Sequence, residues 1–380
     1  MRPLAPVIAA SLLVMTACGG DAEGDPDALG TPSESPQPNT RTATVSPEPS
    51  AEVRRPEVVR TVASGLETPW GVTFLPDGTA LVGERDTTRV LAVSGGGNGE
   101  ADVREVGEVG IASPQGEAGL LGLAVSPSYD EDGLVYAYVT TSDDNRVVRM
   151  TYDGRRLGEP EPVLTGIPNG FIHDGGRLLF DPDGNLFVST GESGEEQLAQ
   201  DADSLGGKIL HITPSGKPAP DNPVDGSPVW TMGHRNVQGL AFDDDGRLWA
   251  SEFGASSWDE LNLIERSRNY GWPLVEGKGD LQEYRNPFVT WSTSEASPSG
   301  LAFLDGSLWM AALRGERLWE IPVTQEGTKD PQSWFVGEYG RIRTIQVAPN
   351  GNLWITTSNR DGRGEPASDD DRILEVAVPD

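Results

Sequence analysis

Downstream of residue 56, short apolar runs alternate with polar breaks in a pattern that recurs along the chain. Each copy has an alternating apolar run, an Asp-Gly or Asn-Gly pair, and a second apolar run. The copies span Gly71–Val82, Leu123–Tyr136, Leu178–Val188, Leu240–Ala250, Leu301–Trp309 and Ile345–Ile355. Asp-Gly and Asn-Gly supply the positive φ angles of a tight hairpin, so the flanking runs pair as strands. The turn glycines, Gly78, Gly133, Gly184, Gly246, Gly306 and Gly351, are about 45 to 62 residues apart, room for a four-stranded unit plus loops. One such unit cannot cover both of its apolar faces; stacked neighbours can, and a ring of them closes. No sustained helical period separates the copies, which argues against βαβ units. The pattern predicts an all-β, six-bladed β-propeller with four-stranded antiparallel blades over residues 55–380. A β-sandwich or two smaller β domains would use the same strands. Ring closure requires strands from both ends of the repeat region to pair, and Val58–Val62 and Ile373–Val378 are the candidates.

The segment ahead of the repeats reads differently. Arg2 precedes an apolar run, Val7–Met15, that is too short to span a bilayer. It ends in Met15-Thr-Ala-Cys18, small residues leading into the only cysteine of the chain, so no intrachain disulfide can form. This predicts a lipoprotein signal peptide over 1–18 with lipidation at Cys18, the alternative being an ordinary signal peptide with an incidental cysteine. Residues 19–54 are rich in Pro, Ser and Thr and almost devoid of large apolar groups, the composition of a disordered tether. The expected location is the cell surface: an exported lipoprotein anchored to the outer face of the cytoplasmic membrane. The 380 residues carry 59 acidic against 29 basic side chains, a formal net charge of -30. Such a charge repels phosphate backbones, so nucleic acid is not an expected partner, while carboxylates can serve hard cations such as Ca²⁺.

Three histidines are too few for a multi-histidine zinc site. His211, in Lys208–Ile212, reads as a strand residue with a structural role. His173 lies in the Gly-rich stretch Asn169–Arg177 just before a repeat, where a loop can present the imidazole as a general base. Glu192 follows the second run of the same hairpin and can return to the level of His173 to orient its ring. A loop histidine bonded to backbone is the alternative. Gly233–Gly239 crowds His234, Arg235, Asn236 and Gln238 around one valine; it suits recognition of carboxylates or a developing oxyanion, or else pins neighbouring blades. Ser251–Asn262 mixes carboxylates with loop carbonyls, which suits Ca²⁺, although its spacing is not that of an EF-hand. Arg314 and the pair Arg341 and Arg343 add cations at blade ends. Several arginines there would form a positive mouth in an acidic protein and draw an anionic ligand to the axis.

With these residues in view, the chain from about 57 to 378 resembles the pyrroloquinoline-quinone (PQQ) dependent soluble glucose dehydrogenase and aldose sugar dehydrogenase family. The matching stretches are Leu66–Gly71, Gly116–Ala124, Ile172–Arg177, Gly206–Leu210, Gly233–Gly239, Asp259–Asn262, Asn269–Pro273 and Gly340–Arg343. The resemblance implies a six-bladed propeller with PQQ and Ca²⁺ in a pocket at one end of the axis. By the same resemblance, His173 is the base that takes the proton from the anomeric hydroxyl as hydride passes to PQQ, and Glu192 orients it where the family usually has Asp. Arg235, Asn236 and Gln238 match PQQ contacts, with Arg235 near the reacting quinone oxygen. Arg341 and Arg343 match carboxylate-binding arginines, and Glu117 falls where the family often has a Gln near cofactor and substrate. Gly254 and Ala255 match the two carbonyls that hold the cofactor's Ca²⁺; Glu260 and Tyr270 match a second calcium site. The implied partners are an aldose, oxidised to its lactone, and an external electron acceptor.

Three positions depart from the family pattern. Leu313 stands where many members carry a PQQ-binding Lys, with Arg314 beside it. Ile172 stands where glucose dehydrogenase has an acid that helps bind sugar, and Ser126–Tyr129 replaces a His-Pro-Asp-Phe-like stretch. Two other functions fit a propeller: non-enzymatic binding of a carbohydrate or protein, and calcium-dependent lactone hydrolysis, which needs carboxylates and Asn on the axis.

Overall fold

The computed structural model describes residues 55–95, 97 and 99–378. The predicted signal peptide, the tether and Cys18 lie outside the described residues. Each Asp-Gly or Asn-Gly pair closes a hairpin as expected, and the six turn glycines have φ between 63° and 87°. The sheets form six antiparallel blades of a β-propeller.

In chain order of their innermost strands, blade 1 comprises Pro69–Phe74, Ala80–Glu84, Arg89–Ser94 and Asp102–Glu108. Blade 2 comprises Leu120–Val125, Leu134–Thr140, Asn145–Thr151 and Glu161–Ile167, and blade 3 Leu178–Phe180, Leu186–Ser189, Lys208–Ile212 and Val229–Met232. Blade 4 comprises Val237–Phe242, Leu248–Glu252, Trp258–Ile264 and Val289–Ser292. Blade 5 is built on Pro298–Leu304, Ser307–Ala312 and Arg317–Thr324; its outer position is filled by Gln332–Trp334, and a short fifth strand, Gly327–Thr328, extends the third. Blade 6 takes Ile342–Val347, Leu353–Thr357 and Ile373–Ala377, and its outer strand is Glu57–Ala63 from the start of the repeat region. Glu57 pairs with Ala377 and Ala63 with Ile373, so the two expected strands close the ring.

The core sits between blades. Six apolar clusters fill the six blade-to-blade interfaces. The third residue after each turn glycine explains the stacking. Leu81, Tyr136, Phe187, Trp249, Trp309 and Trp354 all sit early in a second strand, and each joins the cluster shared with the following blade. Strand alternation puts the preceding residue on the opposite face, so a two-residue apolar step serves two interfaces at once.

Antiparallel order gives the ring two different ends. The turn end carries the hairpins between first and second strands. The loop end carries the segments that enter each first strand and those that join second to third strands. At the loop end the inner strands of blades 1, 2, 4, 5 and 6 shift register. Such bulges re-aim side chains and bend the strand.

Candidate functional site

His173 enters blade 3 at the loop end. Its φ of 60° is left-handed, a conformation that costs a non-glycine residue and that clusters at working sites. Its carbonyl receives the Ser193 N–H at 3.0 Å. Gly191 makes that approach possible, because a Cβ there would fall 1.8 Å from the His173 oxygen. The same crossing brings Glu192 Oε1 to 2.7 Å from His173 Nδ1. Glu192 is 1% exposed, and its other oxygen accepts the Gly194 N–H. When the ring is neutral and Nδ1 donates to this carboxylate, the lone pair is on Nε2, which has no protein partner among the described residues.

The next loop, Gly233–Gly239, is held from beneath. His234 is fully buried, stacks on Tyr270, and its Nδ1 lies 2.8 Å from Glu252 Oε2. The other Glu252 oxygen receives the Arg235 N–H. Asn236 Oδ1 accepts the Gly175 N–H at 3.0 Å, which ties this loop to the one bearing His173. The Arg235 guanidinium donates to Gly254 O at 2.7 Å, whereas its Nε is buried without a partner. Gln238, Arg343 and Thr344 lie at the register shifts of blades 4 and 6. Gln238 Oε1 there accepts from Arg343 Nη1 at 3.1 Å and from Ser299 Oγ at 2.9 Å.

The arginines are neutralised more than the sequence suggested. Asp361 Oδ2 lies 3.0 Å from Arg341 Nη2 and 3.2 Å from Arg343 Nη2. Burial alone would raise its pKa, yet the two guanidiniums hold it below the ordinary aspartate value. Arg177, unremarked in the sequence, lies buried below them. It stacks at 4.3 Å on the Trp70 ring, donates to Gln238 O at 2.8 Å, and has no carboxylate partner among the described residues. Burial and the Arg343 charge push it down to about 9, and burial takes Arg343 to about 10. At the rim, Glu117 accepts the His173 N–H at 3.1 Å and pairs with Arg363 at 2.7 Å. Its burial would raise the pKa, but the His173 N–H and Arg363 bring it below the usual value. Asp174, behind His173, is pushed up to about 7 by burial, and its Oδ2 has no partner.

Other expected residues stand apart. Arg314 is exposed at the turn between Ser307–Ala312 and Arg317–Thr324, outside this network, and Leu313 beside it is buried. The carboxylates of Ser251–Asn262, read as potential Ca²⁺ ligands, are taken up by donors: Glu252 by His234 and Arg235, Asp259 by the N–H groups of Gly254 and Ser297. Glu260 accepts from Asn262 and Gly277, and burial with the nearby Glu252 charge lifts it to about 8. The Tyr270 hydroxyl donates to Leu263 O and accepts the Glu265 N–H, so Glu260 and Tyr270 turn their polar atoms to different partners. Among the described residues no three His, Cys, Asp or Glu side chains group as a metal site. The main-chain carbonyl of Gly254 in this segment accepts the Arg235 guanidinium.

Asp361, Arg177 and Glu276 escaped the sequence reading. A signal for Asp361 existed: it lies between second and third strands of blade 6, as Glu192 does in blade 3 and Gly254 in blade 4. The loop end thus carries the His173 imidazole, the guanidiniums of Arg235, Arg341 and Arg343, and the Gly254 carbonyl. That donor set fits a flat polycarboxylate with a cation beside it; an axis lined by Arg177 and Arg343 does not fit a carboxylate-ligated calcium hydrolase.

Comparison with known proteins agrees with this chemistry. The family model for glucose / sorbosone dehydrogenases matches residues 66–365. A quinoprotein glucose dehydrogenase B of Acinetobacter calcoaceticus is 32% identical over 327 residues, covering 77% of this chain and 66% of the relative. An aldose sugar dehydrogenase of Escherichia coli (strain K12) is 27% identical over 349 residues, covering 80% and 91%. Among solved structures, the PQQ-bound form of an aldose sugar dehydrogenase from Streptomyces coelicolor is 54% identical with a TM-score of 0.82, covering 87% of this chain and 99% of that one.

Proposed function

The chain belongs to the glucose / sorbosone dehydrogenase family, and from that premise we propose that it is a PQQ-dependent oxidoreductase that converts aldoses to lactones. The observation that carries this reading is the His173–Glu192 pair, 2.7 Å apart, at the loop end that also bears Arg235, Arg341 and Arg343. His173 Nε2 takes the proton from the anomeric hydroxyl, and Glu192 holds the ring in the required tautomer and stabilises the imidazolium that forms. PQQ, when bound, supplies the quinone that accepts the hydride from the sugar carbon. Arg341 and Arg343 would bind its carboxylates, Arg235 would stabilise the negative charge that develops on it, and Asn236, Gln238 and Glu117 would supply further contacts. Gly254 and Ala255 offer carbonyls to Ca²⁺. Glu260 and Tyr270 are assigned to a second calcium site only by resemblance, and Arg314 is read as a further cation at a blade end. An external electron acceptor completes the cycle, and Cys18 anchors the exported protein to the outer face of the membrane.

The test adds PQQ and Ca²⁺ to purified apoprotein and follows reduction of an artificial acceptor with a panel of aldoses. Acceptor reduction that His173→Ala lowers by about 10²–10⁴-fold is the expected result. Tight PQQ uptake with no turnover on any sugar would favour a binding propeller, and absence of uptake would refute the cofactor assignment.

A further inference from the structure

The loop between Glu252 and Trp258 is arranged by a side chain outside it. Glu276 Oε1 accepts four consecutive main-chain N–H groups, from Ala255 at 2.8 Å, Ser256 at 3.0 Å, Ser257 at 3.0 Å and Trp258 at 3.1 Å. Opposing the effect of burial, these bonds hold the Glu276 carboxyl below the usual glutamate value. In a trans peptide the C=O points opposite to the following N–H. With the Ala255 and Ser256 N–H groups drawn to Glu276, the carbonyls of Gly254 and Ala255 must point the other way. Gly254 O does so, meeting the Arg235 guanidinium at 2.7 Å. Gly254 is required here: a Cβ would fall 2.0 Å from Trp258 O and 2.9 Å from Glu276 Oε1. Asp259 takes the Gly254 N–H at 2.8 Å, and Glu260 fixes Gly277, next to Glu276, at 2.7 Å.

We propose that Glu276 is a positioning residue that gathers these amides on one oxygen and thereby turns the Gly254 and Ala255 carbonyls into a two-oxygen ledge for a cation. The peptide dipoles present their negative ends to the side on which Arg235 lies, and the carboxylate behind them adds a like-signed field that favours a cation in front. The inference rests on the reading of the site given above. Its test follows Ca²⁺-dependent PQQ uptake by cofactor absorbance, together with amide hydrogen exchange at 255–258, in wild type, Glu276→Ala and Glu276→Gln. In Glu276→Ala the Ca²⁺ concentration for half-uptake should rise at least tenfold with the four amides exposed to exchange, while the melting temperature stays near that of wild type. Glu276→Gln, which keeps an acceptor oxygen but no charge, should restore protection of the amides and most of the Ca²⁺ response. A Glu276→Ala half-uptake concentration within twofold of wild type would overturn the proposal. Should wild type itself take up no PQQ, the cofactor assignment fails separately, and unchanged amide protection in Glu276→Ala then overturns the positioning role.

Discussion

The two ends of the ring use similar residues to opposite effect. At the turn end, His211 is 2% exposed, stacks on Phe187 at 4.0 Å, and sets Nε2 2.7 Å from Asp181. At the loop end, His173 makes an equally short contact to Glu192 but from a left-handed backbone, and its spare nitrogen has no carboxylate beside it among the described residues, whereas the spare Nδ1 of His211 is buried 3.2 Å from Asp221. The carboxylates differ likewise. Asp243 at the turn end meets Arg247 at 2.7 Å and the Trp249 indole at 2.8 Å, and Glu375 meets Arg60 and two asparagines. At the loop end, burial lifts Asp174 to about 7, Asp259 to about 6 and Glu260 to about 8. One end pairs most of its polar groups, His211 Nδ1 and Asn222 Oδ1 excepted, and stabilises the ring; the other holds carboxyls in costly states that chemistry can use.

The largest expected effect comes from exchanging the fates of the two histidines. His173→Ala should remove the base and lower turnover by about 10²–10⁴-fold while leaving the melting temperature nearly unchanged. His211→Ala should leave turnover per folded molecule intact and cost about 1–3 kcal/mol of stability, through the lost stack and an orphaned Asp181. Paired thermal melts and rate measurements decide the matter; a His211→Ala protein that is fully stable but inactive would reverse the assignment of the two ends.

Much of this division was legible in the chain. Turns built on Asp-Gly and Asn-Gly specify their own backbone, so the hairpins, the blade count and the closing strands follow from local chemistry. His173 and Glu192 were also legible, because the hairpin between them returns to its starting level. The arginine cluster was only half legible. Arg341 and Arg343 read as cations of a positive mouth, but Asp361 reaches them from the loop after the second strand of blade 6, and nothing in a one-dimensional pattern fixes that meeting. Arg177 was hidden for the related reason that its environment, Trp70 and Gln238, comes from blades 1 and 4. Glu276 acts across a long connection whose path sequence periodicity does not describe.

Asp361 supplies the next test. Asn at this position keeps the shape and removes the charge, leaving two buried guanidiniums without their counter-ion. Breaking such a buried pair costs about 3–5 kcal/mol. Asp361→Asn should therefore melt well below wild type in the cofactor-free form. A ligand carrying carboxylates should recover more of that loss than it adds to wild type, so the PQQ-induced rise in melting temperature should be larger in the variant. An equal rise in both proteins would mean that these arginines do not meet the cofactor.

A smaller effect should appear in the pH dependence of stability. Asp174 has a folded pKa of about 7 against an ordinary 3.8, so it favours folding only while protonated. Its contribution is complete below about pH 4 and is lost as the pH rises through 7. Asp259 and Glu260 act in the same direction over windows reaching about 6 and 8. Asp174→Asn mimics the protonated acid, and its carbonyl can still accept from Gly170 and Asn145, which bond Oδ1 at 3.0 Å and 2.8 Å. The fall in melting temperature between pH 5 and pH 8 should thus be shallower in the variant than in wild type, though not abolished. Identical slopes would show that Asp174 is already ionised throughout.

The smallest effect belongs to the turn end, at the seam where the ring closes. Arg60 on the outer strand of blade 6 donates to Glu375 on the neighbouring strand at 2.7 Å and to Gly99 O at 2.8 Å. Glu375 is 4% exposed and also accepts from Asn350 at 2.7 Å and Asn352 at 2.5 Å. Burial would raise its pKa, but Asn352, Asn350 and Arg60 together hold it below 4.5. Its contribution is therefore present above 4.5 and lost as the pH falls through the folded value, opposite in sign to that of Asp174. Arg60→Ala removes one of three partners and leaves the asparagines in place, so the cost at neutral pH should be about 1 kcal/mol, with turnover unchanged. The acid limb of the stability curve should move to higher pH, because less then opposes protonation of Glu375. A variant that lost activity without losing stability would place the seam in communication with the loop end, and the functional separation of the two ends would fail.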